Sequence, residues 1–308
     1  MSNEADASPP IEPVPPEDRG AALSLLLSHL AAPDAAGQVR TLLSAAEAGE
    51  MSLEGLLGVR RSGRFVGVVL AQAQPGHTAA VWPPRTTADQ PAGIAEELLE
   101  AACEFLVRND VRTAQAIVDR ARESDGALLG SAGFQRLAEL LYMVSPSGTF
   151  PSSPPRTPLG FEPYCSENQQ RLARVVGASY QQTLDCPQLD GVRPLDDVLE
   201  GYRQTGVFDP DRWLIVRHDS EDVGCLLLAD HPNHDNWELV YMGLMVEARG
   251  NGWGRDISRH AQWLTHVAGR SRLVVAVDAA NRPAVRMYSA VGFETWERCN
   301  VYLKVFQR

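Results

Sequence analysis

The stretch "WELVYMGLMVEARGNGWGRDISRHAQWLTHVAG", residues 237–269, joins a strand-like run to a helix-like run through a loop with three glycines in five positions. Its apolar start predicts a strand, and its amphipathic end predicts a helix over 252–268. The glycines are Gly250, Gly252 and Gly254. Because glycine costs backbone entropy, this density indicates a backbone that must take positive φ or approach another group closely.

A glycine-rich loop between a strand and a helix can bind phosphate. The first N–H groups of a helix have no partner inside it, and the helix dipole adds partial positive charge at the same end. Arg249 and Arg255 flank the glycines and would add charge. The spacings of a Walker loop, GxxxxGK[ST], and of a dinucleotide fingerprint, GxGxxG, do not occur in this loop. The loop therefore favours a pyrophosphate-binding turn, with a purely structural turn as the alternative.

Two motifs in the second half of the chain carry a family resemblance. Residues 249–254 fit the [Q/R]-x-x-G-x-[G/A] loop of the GNAT acyltransferase superfamily. Further along, "NRPAVRMYSAVGF", residues 281–293, is similar to that superfamily's N-x-x-A-x-x-x-Y-x-x-x-G-F segment. The resemblance spans roughly 160–308 and implies acetyl-CoA, or another acyl-CoA, as a co-substrate without a metal.

The same resemblance implies how the donor binds. The N–H groups from Gly250 to Arg255 would bind the pyrophosphate, and the main chain near Leu244 to Val246 would pair with the pantetheine arm. Valine at 246 departs mildly from the proline that the family often has there. Asn281 is a helix cap by its residue type and would also contact the CoA arm. The implied donor-binding residues are Leu244, Met245, Val246, Arg249, Gly250, Asn251, Gly252, Trp253, Gly254, Arg255 and Asn281.

The two halves of the chain repeat one plan. "LLGVRRSGRFVGVVLAQ" from residue 56 parallels "WLIVRHDSEDVGCLLLA" from residue 213, and both read as strand, tight turn, strand. "AQAIVD" ending at Asp119 parallels "LVVAVD" ending at Asp278, at a separation of 159 positions. Several matches in one order and nearly one register indicate a duplicated domain.

The boundaries follow from composition. "SPSGTFPSSPPRTPLG", residues 145–160, cannot continue a helix or a central strand. We expect two α+β domains in tandem, each a GNAT-like fold with a mixed, mostly antiparallel sheet flanked by helices. This architecture resembles mycothiol synthase-like proteins. The expected segments are a disordered arm at 1–18, a degenerate domain at 19–145, a linker at 146–160 and a catalytic domain at 161–308.

Two side chains are candidates for the chemistry. Tyr288 stands where many GNAT enzymes keep a tyrosine that serves the leaving sulfur, and the alternative is a tyrosine that only packs its helix on the sheet. Glu238 lies eleven positions before Arg249, as does a catalytic glutamate in histone-type acetyltransferases of the superfamily. There are two alternatives to a catalytic Glu238. The residue is an exposed charge at the end of a strand, or the amine loses its proton through water instead. Period-2 alternation predicts one face for Glu238, Val240, Met242 and Leu244.

The first half lacks both groups. The 159-residue offset places Leu129 at the tyrosine position and Ala79 at the glutamate position, and the equivalent loop, 90–95, contains a proline that removes an N–H donor. We therefore expect a catalytically silent first half. The duplication supplies an internal pseudo-dimer, so we expect a monomer.

The sequence defines the acceptor of the acyl group less well than the donor. Residues 181–238 contain thirteen acidic residues against four arginines and no lysine, which suits a cationic amine but equally a solvated acidic surface. The histidines of "HPNH", 231–234, have no third metal ligand in view, and Cys186 has no evident histidine partner as a nucleophile. A small amine is favoured. A peptide acceptor and a non-catalytic acyl-CoA-binding regulator or scaffold are the alternatives.

Bulk properties set the remaining limits. The 308 residues carry a net charge of −11, which argues against nucleic-acid binding. The sequence lacks an apolar run long enough for a membrane span, and its start lacks a signal pattern. Five cysteines without a CxxC pair favour a reducing compartment, so we expect a cytoplasmic protein.

Overall fold

The computed structural model describes residues 9–88, 93–189 and 194–306. The chain forms two compact units. The first contains the residues up to 136 together with those from 300 onward, and the second contains residues 137–299. Each unit is described here on its own.

The first unit is a mixed sheet with helices on both faces. Its elements are β1 (Ile11–Pro13), α1 (Arg19–Leu26), α2 (Ala32–Glu47), β2 (Leu56–Arg61), β3 (Arg64–Gln74), β4 (Thr78–Thr86), α3 (Ile94–Arg108), β5 (Thr113–Asp119) and α4 (Glu123–Ser131). β1 to β4 pair antiparallel in sequence order, and β4 pairs with β5 in parallel. α1 and α2 pack on one face, and α3 and α4 on the other.

The second unit repeats this plan. Its elements are β6 (Gln135–Pro146), β7 (Leu159–Pro163), α5 (Gln169–Tyr180), α6 (Leu195–Arg203), β8 (Trp213–His218), β9 (Glu221–His231), β10 (Asn236–Leu244), α7 (Trp253–Val267), β11 (Arg272–Asp278), α8 (Arg282–Ala290) and the first half of β12 (Glu294–Val305). The strand order from β6 is β6-β11-β10-β9-β8-β7, and only β10 and β11 run parallel in that series. α7 and α8 cover one face, and α5 and α6 the other. The predicted fold class is confirmed.

Part of the predicted disordered arm is instead ordered. β1 pairs with β2, and the N–H of Val14 donates to the carbonyl of Leu56 at 2.9 Å. Val14 is buried against α1, and Asp18 forms an ion pair with Arg60. The prediction for residues 11–18 was wrong because one buried valine and a strand edge outweigh a proline-rich composition. Residues 1–8 lie outside the described part of the chain.

β10 and β11 separate beyond Glu238. They pair only through residues 236–238 and 272–274, although β10 continues to Leu244 and β11 to Asp278. Within the described residues, the edge of β10 that faces β11 therefore has no strand partner over 239–244. This open edge ends at the glycine loop.

A β-bulge divides β10. Its register on β9 shifts between Leu239 and Tyr241. Leu239 and Met242 pack in the cluster beneath α7 and α8, whereas Val240 and Tyr241 pack beneath α5 and α6. The predicted single face is therefore wrong from Met242 onward, because the extra residue of the bulge turns Met242 and Leu244 to the opposite side.

The segment predicted as a linker, 146–160, begins at the end of β6 and reaches into β7. Between them lie a 3-10 turn, Ser147–Thr149, and nine residues without helix or strand. Among the described helices, none has the length and apolar content needed to cross a membrane.

Candidate active site

The glycine loop presents a row of backbone N–H donors that have no acceptor in the described part of the chain. Gly250 and Gly252 have φ of +85° and +80°, and a Cβ on either would meet no atom within 4 Å. Among the described residues, nothing accepts a hydrogen bond from the N–H groups of residues 250–254. Gly252 caps α7 without a side-chain bond, so the start of the helix is bare. Successive free N–H groups of this kind form an anion-binding concavity.

The guanidinium of Arg249 lies on backbone carbonyls. Its Nε donates to Leu244 at 3.1 Å, and its Nη atoms donate to Ser179 at 2.9 Å, Gln181 at 2.8 Å and Gln182 at 3.0 Å. This side chain ties the segment after α5 to the end of β10. The sequence did not predict that role, because the four carbonyls come from two distant segments.

Arg255, the other arginine that flanks the glycines, does not bind backbone carbonyls of the described residues as Arg249 does. Arg255 is exposed, and its side chain has no ion pair or hydrogen bond with a described residue. It is therefore available to a bound anion. The side chain of Asn251 donates to the carbonyl of Ala248 at 3.2 Å and holds the loop from within.

The other implied donor contacts lie along the strand end and at α8. The carbonyl of Leu244 accepts from Arg249, and the N–H of Met245 donates to Val223 of β9 at 3.0 Å. Val246 begins a 3-10 turn. Asn281 caps α8, since its Oδ1 accepts from the N–H of Ala284 at 3.2 Å, as its residue type predicts.

Tyr288 lies on α8 with only 4% of its surface exposed. Its ring packs against Phe293 at 5.2 Å between centroids. Its hydroxyl has no hydrogen-bond partner among the described residues. Burial raises the pKa of Tyr288 well above its usual range, and the nearby charge of Asp185 raises it further. The phenol therefore stays protonated at neutral pH.

Glu238 has a histidine partner that the sequence did not reveal. Its Oε2 lies 2.9 Å from Nε2 of His231, the last residue of β9, and both side chains are partly buried. The rest of "HPNH" forms a 3-10 turn, Pro232–His234. In the described part of the chain, no group of three or more potential metal ligands occurs.

Two aspartates that the sequence did not single out lie in contact through main-chain hydrogen bonds. Oδ1 of Asp185 accepts from the N–H of Asp278 at 2.8 Å, and Oδ2 of Asp278 accepts from the N–H of Cys186 at 3.2 Å. Oδ1 of Asp278 also accepts from Ala280 at 2.8 Å. In the sequence, Asp278 marked only the end of an apolar strand, and Asp185 was one of many acidic residues in its segment.

Cys186 is poorly suited to act as a nucleophile. Burial and the charges of Asp185 and Asp278 raise the pKa of its thiol to about 12. The thiolate, which is the reactive form, is therefore scarce at neutral pH.

Comparison with known proteins agrees with this geometry. The family model described as Acetyltransferase (GNAT) family matches residues 180–293. A mycothiol acetyltransferase of Streptomyces bingchenggensis is 29% identical over 177 residues, which cover 57% of this chain and 56% of that protein. The chain thus spans little more than half the length of this curated relative.

Two solved structures resemble nearly the whole chain. A GCN5-related N-acetyltransferase from Sphaerobacter thermophilus matches with a TM-score of 0.69 at 15% identity, over 97% of this chain and 96% of that one. A tandem GNAT protein from the clavulanic acid biosynthesis pathway matches with a TM-score of 0.53 at 16% identity, over 96% and 98%. At these identities the likeness is one of fold, and it confirms the tandem architecture.

Proposed function

We propose that this GNAT-superfamily protein transfers the acetyl group of acetyl-CoA to a primary amine, with a small amine as the favoured acceptor. The observation that carries the proposal is a row of five N–H groups, those of residues 250–254, on the glycine loop at the end of the open edge of β10. Neither these groups nor that edge has a backbone partner within residues 9–88, 93–189 and 194–306. The loop could accept a pyrophosphate, and the edge could accept an extended, amide-containing arm.

The residues fit an acyl-CoA donor, which would supply the activated thioester. The N–H groups of 250–254 and the exposed Arg255 would bind the pyrophosphate. The main chain at 244–246 would pair with the pantetheine arm, helped by Asn281. Arg249 would contribute through the position of the loop, because its guanidinium is already bonded to four carbonyls.

The transfer needs a neutral amine and a stabilised leaving group. The amine nitrogen attacks the thioester carbonyl carbon, so that a C–N bond forms and the C–S bond breaks. The amine proton passes to Glu238 or to water, and CoA leaves as a thiolate that takes a proton from solvent. The hydrogen bond between His231 and Glu238 would fix the carboxylate on β10.

Tyr288 would serve the sulfur chiefly as a hydrogen-bond donor. A thiol has a pKa of about 8.5, so its thiolate is a much weaker base than the anion of a tyrosine whose pKa is raised. Complete proton transfer from Tyr288 is therefore unfavourable, whereas a hydrogen bond to the developing thiolate is favourable.

The first unit would be catalytically silent. Leu129 and Ala79, which occupy the positions of the two catalytic candidates, are fully buried in its apolar core. Its Gly93 caps α3 at a φ of +107°, while residues 90–92 of the equivalent loop lie outside the described part of the chain. We propose that this unit has a structural role and that the chain is a monomer.

The test is a thiol-release screen with acetyl-CoA against small amines, amino acids, polyamines and peptides. A mycothiol-type acceptor belongs in it, because the curated relatives carry that name. Acetyl-CoA-dependent release with a small amine, lost in Gly252→Asp, is the expected result. Tight acetyl-CoA binding without release for any acceptor would favour the binding-module alternative, and release with peptides alone would favour the protein acetyltransferase.

A further inference from the structure

The Asp185–Asp278 pair connects two segments that are 93 residues apart. Asp278 ends β11 and is 5% exposed, and its carboxylate accepts hydrogen bonds from the N–H groups of Ala280 and Cys186. Asp185 belongs to the segment after α5 and is exposed to solvent. The carboxylate of Asp185 accepts from the N–H of Asp278 and from the side chain of Asn281, and its solvent-exposed side remains accessible to a ligand.

We infer that Asp185 receives the ammonium group of the acceptor, with Asp278 as a fixed second negative charge behind it. The inference rests on the proposed function, in which the acceptor is a primary amine. It adds two points to that function. Asp185 recognises the amine, and the amine binds as a cation.

The charge balance of the pair points to a cation. Among the described residues, no lysine, arginine or histidine forms an ion pair with either carboxylate. The surrounding protein raises the pKa of Asp185 although solvent reaches the residue, and the charge of Asp278 adds to that effect. Buried charges are normally paired with an opposite charge, and the buried carboxylate of Asp278 has only N–H donors among the described residues.

Tyr288 gives a second, independent observation. More than nine-tenths of its surface is buried, yet its hydroxyl has no described hydrogen-bond partner. The hydroxyl oxygen itself is not fully buried, so it can donate a hydrogen bond to a ligand. The charge of Asp185 raises the pKa of this hydroxyl, and the side chain of Asn281, which caps the helix that carries Tyr288, hydrogen-bonds to Asp185. An amine held at Asp185 would therefore lie near the proposed transfer centre.

The segment that carries Asp185 is held at both ends. Arg249 binds the carbonyls of Ser179, Gln181 and Gln182, and Asp278 binds the N–H of Cys186. The carboxylate of Asp185 therefore has a defined position before a ligand arrives, which reduces the entropy lost on binding.

The test measures cation binding without turnover. Ligand-observed NMR would follow n-propylammonium and its neutral isostere n-propanol on the full chain with CoA at pH 7. We expect n-propylammonium to bind and n-propanol not to compete. Asp185→Asn, which keeps the oxygen that accepts from Asp278, should weaken binding by roughly tenfold, and Asp185→Glu should retain most of it.

Asp211→Asn is the matched control, because Asp211 is an exposed acid of the same acidic segment. It should bind n-propylammonium as the wild type does. Failure of the wild type to prefer n-propylammonium, which needs no variant, would overturn the inference, and so would equal binding by a folded Asp185→Asn. Thiol release is a separate readout: cation binding at Asp185 without release would refute only the transferase, and release with an unchanged amine KM in Asp185→Asn would refute only this site.

Discussion

Arg85 and Asp125 form a bidentate ion pair in the first unit, with Nη1–Oδ1 and Nη2–Oδ2 distances of 3.1 and 2.7 Å. The side chains are only 15% and 12% exposed. Nη1 of Arg85 also donates to the carbonyl of Pro84 at 2.9 Å, so the pair uses a main-chain acceptor at the end of β4. At the same offset, Leu244 corresponds to Arg85 and Ala284 to Asp125. The first unit therefore has a salt bridge at the positions where the second unit has two apolar residues.

Equivalent glycine substitutions should separate the two units. Gly252→Asp places a carboxylate against the proposed pyrophosphate site and should abolish the rise in Tm with acetyl-CoA, because ligand binding to the native state stabilises it. Gly252→Asn, with the same backbone strain but no charge, should keep part of the shift. Gly93→Asp should leave both the shift and thiol release nearly intact. Equal losses from Gly93→Asp and Gly252→Asp would show that both units bind donor.

Tyr288→Phe should lower turnover and leave acetyl-CoA affinity within a few-fold. The ring still fills its buried site, so the loss isolates the hydroxyl; we expect it on the order of 10² in kcat. Steady-state kinetics and a thermal-shift titration with acetyl-CoA measure the two quantities. A variant with wild-type kcat would mean that Tyr288 only packs α8 on the sheet.

Arg249→Met should raise the KM for the amine more than the Kd for acetyl-CoA. The substitution removes all four bonds to carbonyls and frees the segment that carries Asp185, whereas the donor would bind backbone N–H groups that remain. Arg249→Gln restores some of the N–H groups that can bond to these carbonyls. Its KM for the amine should therefore lie between those of the wild type and of Arg249→Met. If acetyl-CoA binding collapsed while the amine KM stayed constant, the guanidinium would belong to the phosphate site instead.

Cys186 should be slow to alkylate. With a pKa of about 12, about one thiol in ten thousand is ionised at pH 8. Asp185→Asn removes a negative charge that raises this pKa, so the pKa should fall and iodoacetamide labelling of Cys186 should accelerate several-fold. Peptide mass spectrometry measures the rate, with the exposed Cys165 as the internal reference. An unchanged ratio of the two rates would contradict the closeness of Asp185 to the thiol.

Local patterns in the sequence were sufficient to predict the glycine loop, α7 and the paired hairpins, because turn chemistry and hydrophobic periodicity determine these elements. The bulge in β10 was not predictable from alternation, since one extra residue reverses the faces beyond it. The cap at Asn281 followed from residue type alone. The contacts of Asp185 with Asp278 and of Arg249 with Ser179 depend on tertiary packing across 93 and 70 residues. Local propensity carries no information at such separations.

The composition of the first unit has a consequence for biosynthesis. The N–H of Phe306 donates to Arg112, and Nζ of Lys304 donates to the carbonyl of Ala132, both within that unit. The ribosome makes these residues only after the whole of 137–299. The first unit therefore leaves the exit tunnel incomplete and must wait, with an unpaired edge beside β5, until the intervening unit has been translated. Domains usually fold in order of synthesis, but here the earlier one can finish only after the later one has been made.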